Sequence, residues 1–202
     1  MRYKIILTTI LFIFSFLYLK NSVYVIREND SLMKTLKEKQ NVYNKEPIDA
    51  IITNHTMIPG ISGRKINLTK SYNKMKSINS FKESLLVFDY VKPNKSINNI
   101  HDKVILSGNP NINKISLLTN EDNRYCYTTN LDINKDCLKN NKYTIHIEKI
   151  TNNHLMKVKE LVKNGVIFYL DFSENNDESS LIMKYLKNNN YEIVTIDELI
   201  KE

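Results

Sequence analysis

Between Tyr143 and Glu202 the chain alternates three times between a short apolar run and a helical pattern. YTIHIEKI (143–150) sets Thr144, His146 and Glu148 against Ile145 and Ile147, the period-2 pattern of a strand. HLMKVKELVKN (154–164) places Leu155, Val158, Leu161 and Val162 on one helical face and lysines on the other. Gly165 follows where a helix C-cap is expected. VIFYLDF (166–172) is apolar almost throughout, as in a strand covered on both faces. DESSLIMKYLKNNN (177–190) reads as a second helix, with Asp177 or Ser179 as its cap and the Asn run as its stop. YEIVTI (191–196) is a third strand and DELIKE (197–202) a last helical turn. Strands and helices at this spacing require right-handed βαβ crossovers and a parallel sheet, so the fold class is α/β.

Upstream the pattern is less regular. IDAIIT (48–53) predicts a strand, and HTMIPGISGRKIN (55–67) a loop turning at Pro59-Gly60 and Ser62-Gly63. LTKSYNKMKSI (68–78) predicts a helix with Thr69 as cap. SLLVFDYV (84–91) is a strand ended by Pro93, and KVILSGNPN (103–111) an extended piece broken at Gly108-Asn109-Pro110. Asp89 has no partner carboxylate nearby in sequence and reads as closing a turn.

The first 26 residues differ in kind. Arg2 and Lys4 precede fifteen uncharged, mostly apolar residues, Ile5 to Leu19. A bilayer span needs about 20, but Lys20 can snorkel and let a tilted helix reach Ile26. No small-residue cleavage site follows, so residues 5–26 are expected to contact the membrane as an uncleaved signal anchor, with a cleaved signal peptide as the alternative. The basic residues before the run favour a single pass with the C-terminal part extracytoplasmic. Residues 27–46 are polar, with Leu32, Met33 and Leu36 at helical spacing, and read as a helical stalk. Pro47 opens the expected domain, 47–202. The net charge is +7; without Arg2, Lys4 and Lys20, 26 basic residues face 22 acidic ones. That excess is scattered and forms no basic stripe interleaved with aromatics, so no nucleic-acid partner is expected.

The segments Gly165–Leu170, Leu181–Leu186 and Tyr191–Ile200 resemble the end of the polysaccharide deacetylase (NodB-homology) family. MIPGISGRKINLTKSYNKMK, SLLVFDYVKP, SGNPNINKISLL and YCYTTN…KDC resemble a divergent, membrane-anchored branch of it from AT-rich Gram-positive bacteria. The resemblance implies a partial, degenerate NodB-like β/α barrel behind an N-terminal transmembrane helix. In active members of that family the first barrel strand reads like SLTFDDG, its aspartates giving a metal ligand and the catalytic base, and a His-x-x-x-His pair completes the metal triad. Here ISLLTNED (115–122) occupies that place without an Asp-Asp pair, and none of His55, His101, His146 and His154 has a histidine four residues away. The position of a family catalytic histidine holds Asp171. The chain then reaches its cysteines almost at once, which reads as the loss of several strand–helix units after Leu118, with Glu121 and Asp122 left as solvated loop residues.

Cys126 and Cys137, with ten residues between them, are candidates for a disulfide if the compartment is oxidising; two reduced thiols are the alternative. No metal site and no cofactor are expected. The expected function is that of an extracytoplasmic, membrane-anchored, non-catalytic deacetylase-like protein that binds cell-wall glycan or an envelope protein. The alternatives are a gene fragment without function, or a metal-dependent deacetylase acting on cell-wall polysaccharide. In the second case His146, Asp171 and Glu148 are the candidate catalytic residues and zinc or another divalent cation the cofactor.

Overall fold

The computed structural model describes residues 9–18, 29–133, 135–171 and 178–202. The helices are α1 (Ser31–Tyr43), α2 (Leu68–Met75), α3 (Lys135–Lys139), α4 (His154–Leu161), α5 (Glu178–Asn188) and α6 (Ile196–Ile200). The strands are β1 (Ile51–Ile52), β2 (Thr56–Ile58), β3 (Gly63–Ile66), β4 (Phe88–Val91), β5 (Val104–Ile105) and β6 (Lys114–Leu118). They continue with β7 (Cys126–Thr128), β8 (Thr144–His146), β9 (Glu148–Ile150), β10 (Ile167–Leu170) and β11 (Glu192–Ile193). The chain divides into two units, Met1–Glu46 with Arg64–Val91, and Pro47–Gly63 with Lys92–Glu202.

Residues 9–18 are helical, with apolar side chains exposed up to 76% at Phe12. Among the described residues no helix is long and apolar enough to cross a membrane. The remainder of the expected span, 5–8 and 19–26, lies outside the described residues.

In the first unit, Asp30 starts α1 by accepting the N–H groups of Leu32 (2.8 Å) and Met33 (3.4 Å). The face carrying Leu32, Met33 and Leu36 is buried with Tyr72 and Met75 of α2, and Phe81, Leu85 and Leu86 pack around it. Leu32, Met33 and Leu36 of the expected 27–46 stalk therefore pack against α2, and 64–91 falls in this same unit. The sequence hid this because Gly63–Ile66 and its partner β4 are too short to show a period. The cap of α2 is Asn67, not Thr69: its Oδ1 accepts the Lys70 N–H at 2.9 Å. Its Nδ2 donates to Asp89 Oδ2 at 2.8 Å, so Asp89 sits within β4 and holds the capping residue rather than closing a turn.

The second unit holds two sheets. One has the order β1-β2-β5-β8-β7, parallel except for the β1–β2 pair. The other, β11-β6-β10-β9, is parallel throughout, as the sequence requires. β6 lies between β10 and β11, although it precedes both in sequence by dozens of residues. The run 143–150 is not one strand: β8 pairs in the first sheet and β9 in the second, and the Ile147 N–H between them donates to Thr128 O at 2.9 Å. One extended segment thus joins the sheets. Residues 55–67, expected to be loop, contain β2 and β3.

Strand alternation sorts the apolar side chains onto two faces. Ile105, Ile145, Ile147 and Ile167 bury with Met57, Ile196 and Leu199 in a core shared by both sheets. Ile115, Ile150, Phe168 and Leu170 bury on the opposite face with Val158 of α4 and Ile182 and Leu186 of α5. Gly165 is not the C-cap of α4, which ends at Val162 in extended conformation. Gly165 has φ +81°, and its carbonyl accepts the Gly108 N–H at 2.8 Å; a Cβ there would stand 2.3 Å from Gly108 O. It is glycine because two backbones meet at that point. Of the two expected caps for α5, Ser179 lies inside the helix, and Asp177 lies outside the described residues.

Candidate ligand cleft at the ends of β6 and β11

In parallel sheets, ligand sites form at the C-terminal ends of the strands. A cleft of about 500 Å³ opens there, beyond β6 and β11. Its apolar wall includes Leu118, Ile193 and Ile196, and its polar side chains include Asn120, Thr195 and Glu198. Ser116, 1% exposed, also lines it, and its hydroxyl has no hydrogen-bond partner among the described residues. Thr195 caps α6 in a reciprocal box with Glu198, which fixes that rim.

Asp122 and Arg124 close one side of the cleft. Arg124 Nη2 and Nε donate to Asp122 (2.6 Å, and 2.9 and 3.1 Å), while Nη1 donates to Asp197 Oδ2 at 2.6 Å. The Tyr125 hydroxyl donates to the other Asp197 oxygen. Hydrogen bonds from Arg124 hold the Asp122 carboxyl below the usual carboxylate value. The Tyr125 hydroxyl, then Arg124, does the same for Asp197. Partial burial and the neighbouring carboxylate push the Tyr125 phenol up. Glu121 is exposed as expected, whereas Asp122 is a paired residue rather than a free loop carboxylate.

The other sequence candidates are not gathered into one site. His146 Nε2 lies 3.7 Å from Glu148 Oε1. Glu148 is the register partner of Phe168, whose face packs on the helices. Asp171 is three residues further along β10, about 10 Å at 3.3 Å per residue. Its backbone carbonyl accepts Nε2–H of the buried His154, whose Nδ1 lies 3.5 Å from Glu178 Oε2. Sequence reasoning missed both the His154–Glu178 pair and the Arg124–Asp197 bridge, whose members are 24 and 73 residues apart and share no motif. Cys126 and Cys137 are joined in a disulfide, with Cα atoms 6.3 Å apart.

A metal of the kind the sequence resemblance implies does not fit the described residues. Asp122, the carboxylate beyond β6 that lines the cleft, is engaged by a guanidinium, and among the described residues no three His, Cys, Asp or Glu side chains are grouped to hold an ion.

No family model matches the chain. A protein of Bacillus subtilis, the uncharacterized protein YlxY, is 34% identical over 102 residues, which is 50% of this chain but only 32% of that relative. In shape the chain is similar to crystal structures of BA3943 from Bacillus anthracis, described as a CE4 family pseudoenzyme. The wild-type form gives a TM-score of 0.66 at 16% identity, covering 86% of this chain and 96% of that one. Two mutants give 0.66 and 0.67, each covered over 99%, and one of them is described as having restored enzymatic activity. The expected loss of strand–helix units after Leu118 is not confirmed against chains covered so fully. The chain has a divergent polysaccharide deacetylase-like fold, built from parallel strand–helix units.

Proposed function

We propose that this chain is a membrane-tethered, extracytoplasmic deacetylase-like protein that binds a cell-envelope glycan without hydrolysing it. The observation that carries the non-catalytic part is the Asp122–Arg124 contact. Metal-assisted hydrolysis needs an open carboxylate for an ion or a proton. Of the two carboxylates that follow β6, Asp122, which lines the cleft, is instead bound at both oxygens by Arg124, and Glu121 is exposed without further ligands grouped beside it among the described residues. The glycan reading is supported by the cleft: its volume is that of a small-molecule site, with an apolar wall beside amide, hydroxyl and carboxylate groups. The tether is supported by residues 9–18, an apolar helix exposed on its side chains, and by the basic residues that precede it. The resemblance of the structural neighbours to this chain supports the pseudoenzyme reading at the level of fold.

Titration of the detergent-solubilised full chain with acetylated chitooligosaccharide should show saturable binding that Asn120→Ala weakens about tenfold, one lost hydrogen bond's worth. The same preparation should release no acetate with or without added zinc. Metal-dependent release would establish the deacetylase alternative, and undiminished binding by Asn120→Ala would move the glycan elsewhere. Carbonate-washed membranes of producing cells should retain the chain, with protease added outside removing its C-terminal part.

A further inference from the structure

On the other side of α6 a smaller cavity of about 290 Å³ is lined by Lys92, Ser96, Asn98, Tyr143, Lys201 and Glu202, among others. At its edge three donors converge on one carboxylate. Glu202 Oε1 accepts the N–H of Gly60 at 2.9 Å and of Ile97 at 2.9 Å, and Oε2 accepts the Ser96 hydroxyl and the Ile97 N–H at 3.1 Å. The donors come from two separate loops, each fixed independently of Glu202. Asp49 Oδ1 accepts the N–H groups of Asn94 and Lys95, and the Ala50 N–H donates to Lys95 O, which sets the 93–97 loop. Gly60 sits where a Cβ would meet Ile48 O at 2.5 Å, so only glycine can present its N–H there. Convergent backbone N–H groups are an anion receptor, and the group they hold shows which anion they suit.

We propose that this nest is a binding site for a small hydroxylated carboxylic acid, with the Glu202 side chain as its resident competitor. The adjoining cavity offers such a ligand room for its polar body beside Asn98, Tyr143, Lys92 and Lys201, while Asp197, which also lines it, is already held by Arg124 and Tyr125. Exchange costs little in kind, because one carboxylate replaces another on the same donors. The ligand therefore needs only to outcompete a tethered side chain, and its apparent affinity is reduced by the fraction of time the nest is filled. This inference does not depend on the glycan reading.

The full chain in detergent serves for the test, with acetate and glucuronate as probes and sodium chloride at equal ionic strength as control. Glu202→Ala should bind both probes saturably in the millimolar range, glucuronate more tightly, with amide shifts at Gly60 and Ile97 and a rise in Tm. The wild-type chain should respond at least tenfold more weakly. Adding Ser96→Ala, which removes one of the three donors, should weaken the response about tenfold. If Glu202→Ala folds poorly, Glu202→Gln, which keeps one acceptor, should give the same order of effects with intermediate affinity. A response to the probes no greater than to chloride, one equal in wild type and variant, or one undiminished by Ser96→Ala would reduce the nest to a structural clasp.

Discussion

Asp122 shows what a single residue reveals and withholds. Its place just past a strand end was legible, and so was its loop setting. What decides its chemistry is Arg124, two residues on, and Asp197, 73 positions beyond Arg124, which no local pattern joins. The consequence is a pH dependence with a definite sign. Both carboxyls titrate below their ordinary value of about 3.9 in the fold. Their contribution is present above that value and is lost as pH falls through the depressed folded values. The groups are largely exposed, so the effect is small. Arg124→Ala should lower the urea midpoint at pH 6 and reduce its further fall between pH 4 and pH 2. Identical slopes in the two proteins would mean that Arg124 does not set the Asp122 value. Tyr125→Phe should act likewise through Asp197, since the phenol is its foremost partner.

At the level of elements, strongly periodic segments were readable and short ones were not. The α4–β10–α5–β11 series follows its apolar pattern, and the Asn run ends α5 with Asn190 at φ 62°. The insertion of β6 between β10 and β11 has no local signal, because a buried strand of five residues carries no record of its neighbours. Gly165 was readable as a glycine that matters, but not as a crossing point. Gly165→Ala should cost at least about 2 kcal/mol from the positive φ alone, and more from Gly108 O; a change below 1 kcal/mol in denaturant would show that the crossing relaxes. Peptide mapping without reductant should recover Cys126 linked to Cys137. Reduction should then cost about 2–3 kcal/mol for a loop of this length, and full alkylation of both thiols beforehand would exclude the bond in the isolated protein.

For the whole molecule the sequence conveyed the α/β class, since parallel sheets follow from alternating units. It did not convey that the chain leaves the second unit at Gly63 and returns at Lys92. The helical pattern at 31–43 read as a stalk because its partners, Tyr72 and Met75, lie some 30 to 40 residues further on. The two units carry separate cores, and a cavity in one tests its share of stability. Phe168, fully buried between β9, β6 and the helices, should cost about 3–5 kcal/mol as Phe168→Ala. That is a large part of a typical 5–15 kcal/mol. Hydrogen exchange should then accelerate through β6, β9 and β10, and unchanged protection there would place the core elsewhere.

The position of β6 also sets a timetable for synthesis. Its two flanking strands are encoded about 50 and 75 residues downstream. At 5–20 residues per second, β6 leaves the ribosome roughly 4–15 s before β11 can cover its second edge. Until β10 emerges, Ile115 and Leu117 are an apolar strand with nothing beside it, and until β11 emerges one edge stays open, while α1, α2 and β4, whose partners all precede β6, already have what they need. Nascent chains stopped before Glu192 are therefore the ones that a chaperone would have to shield.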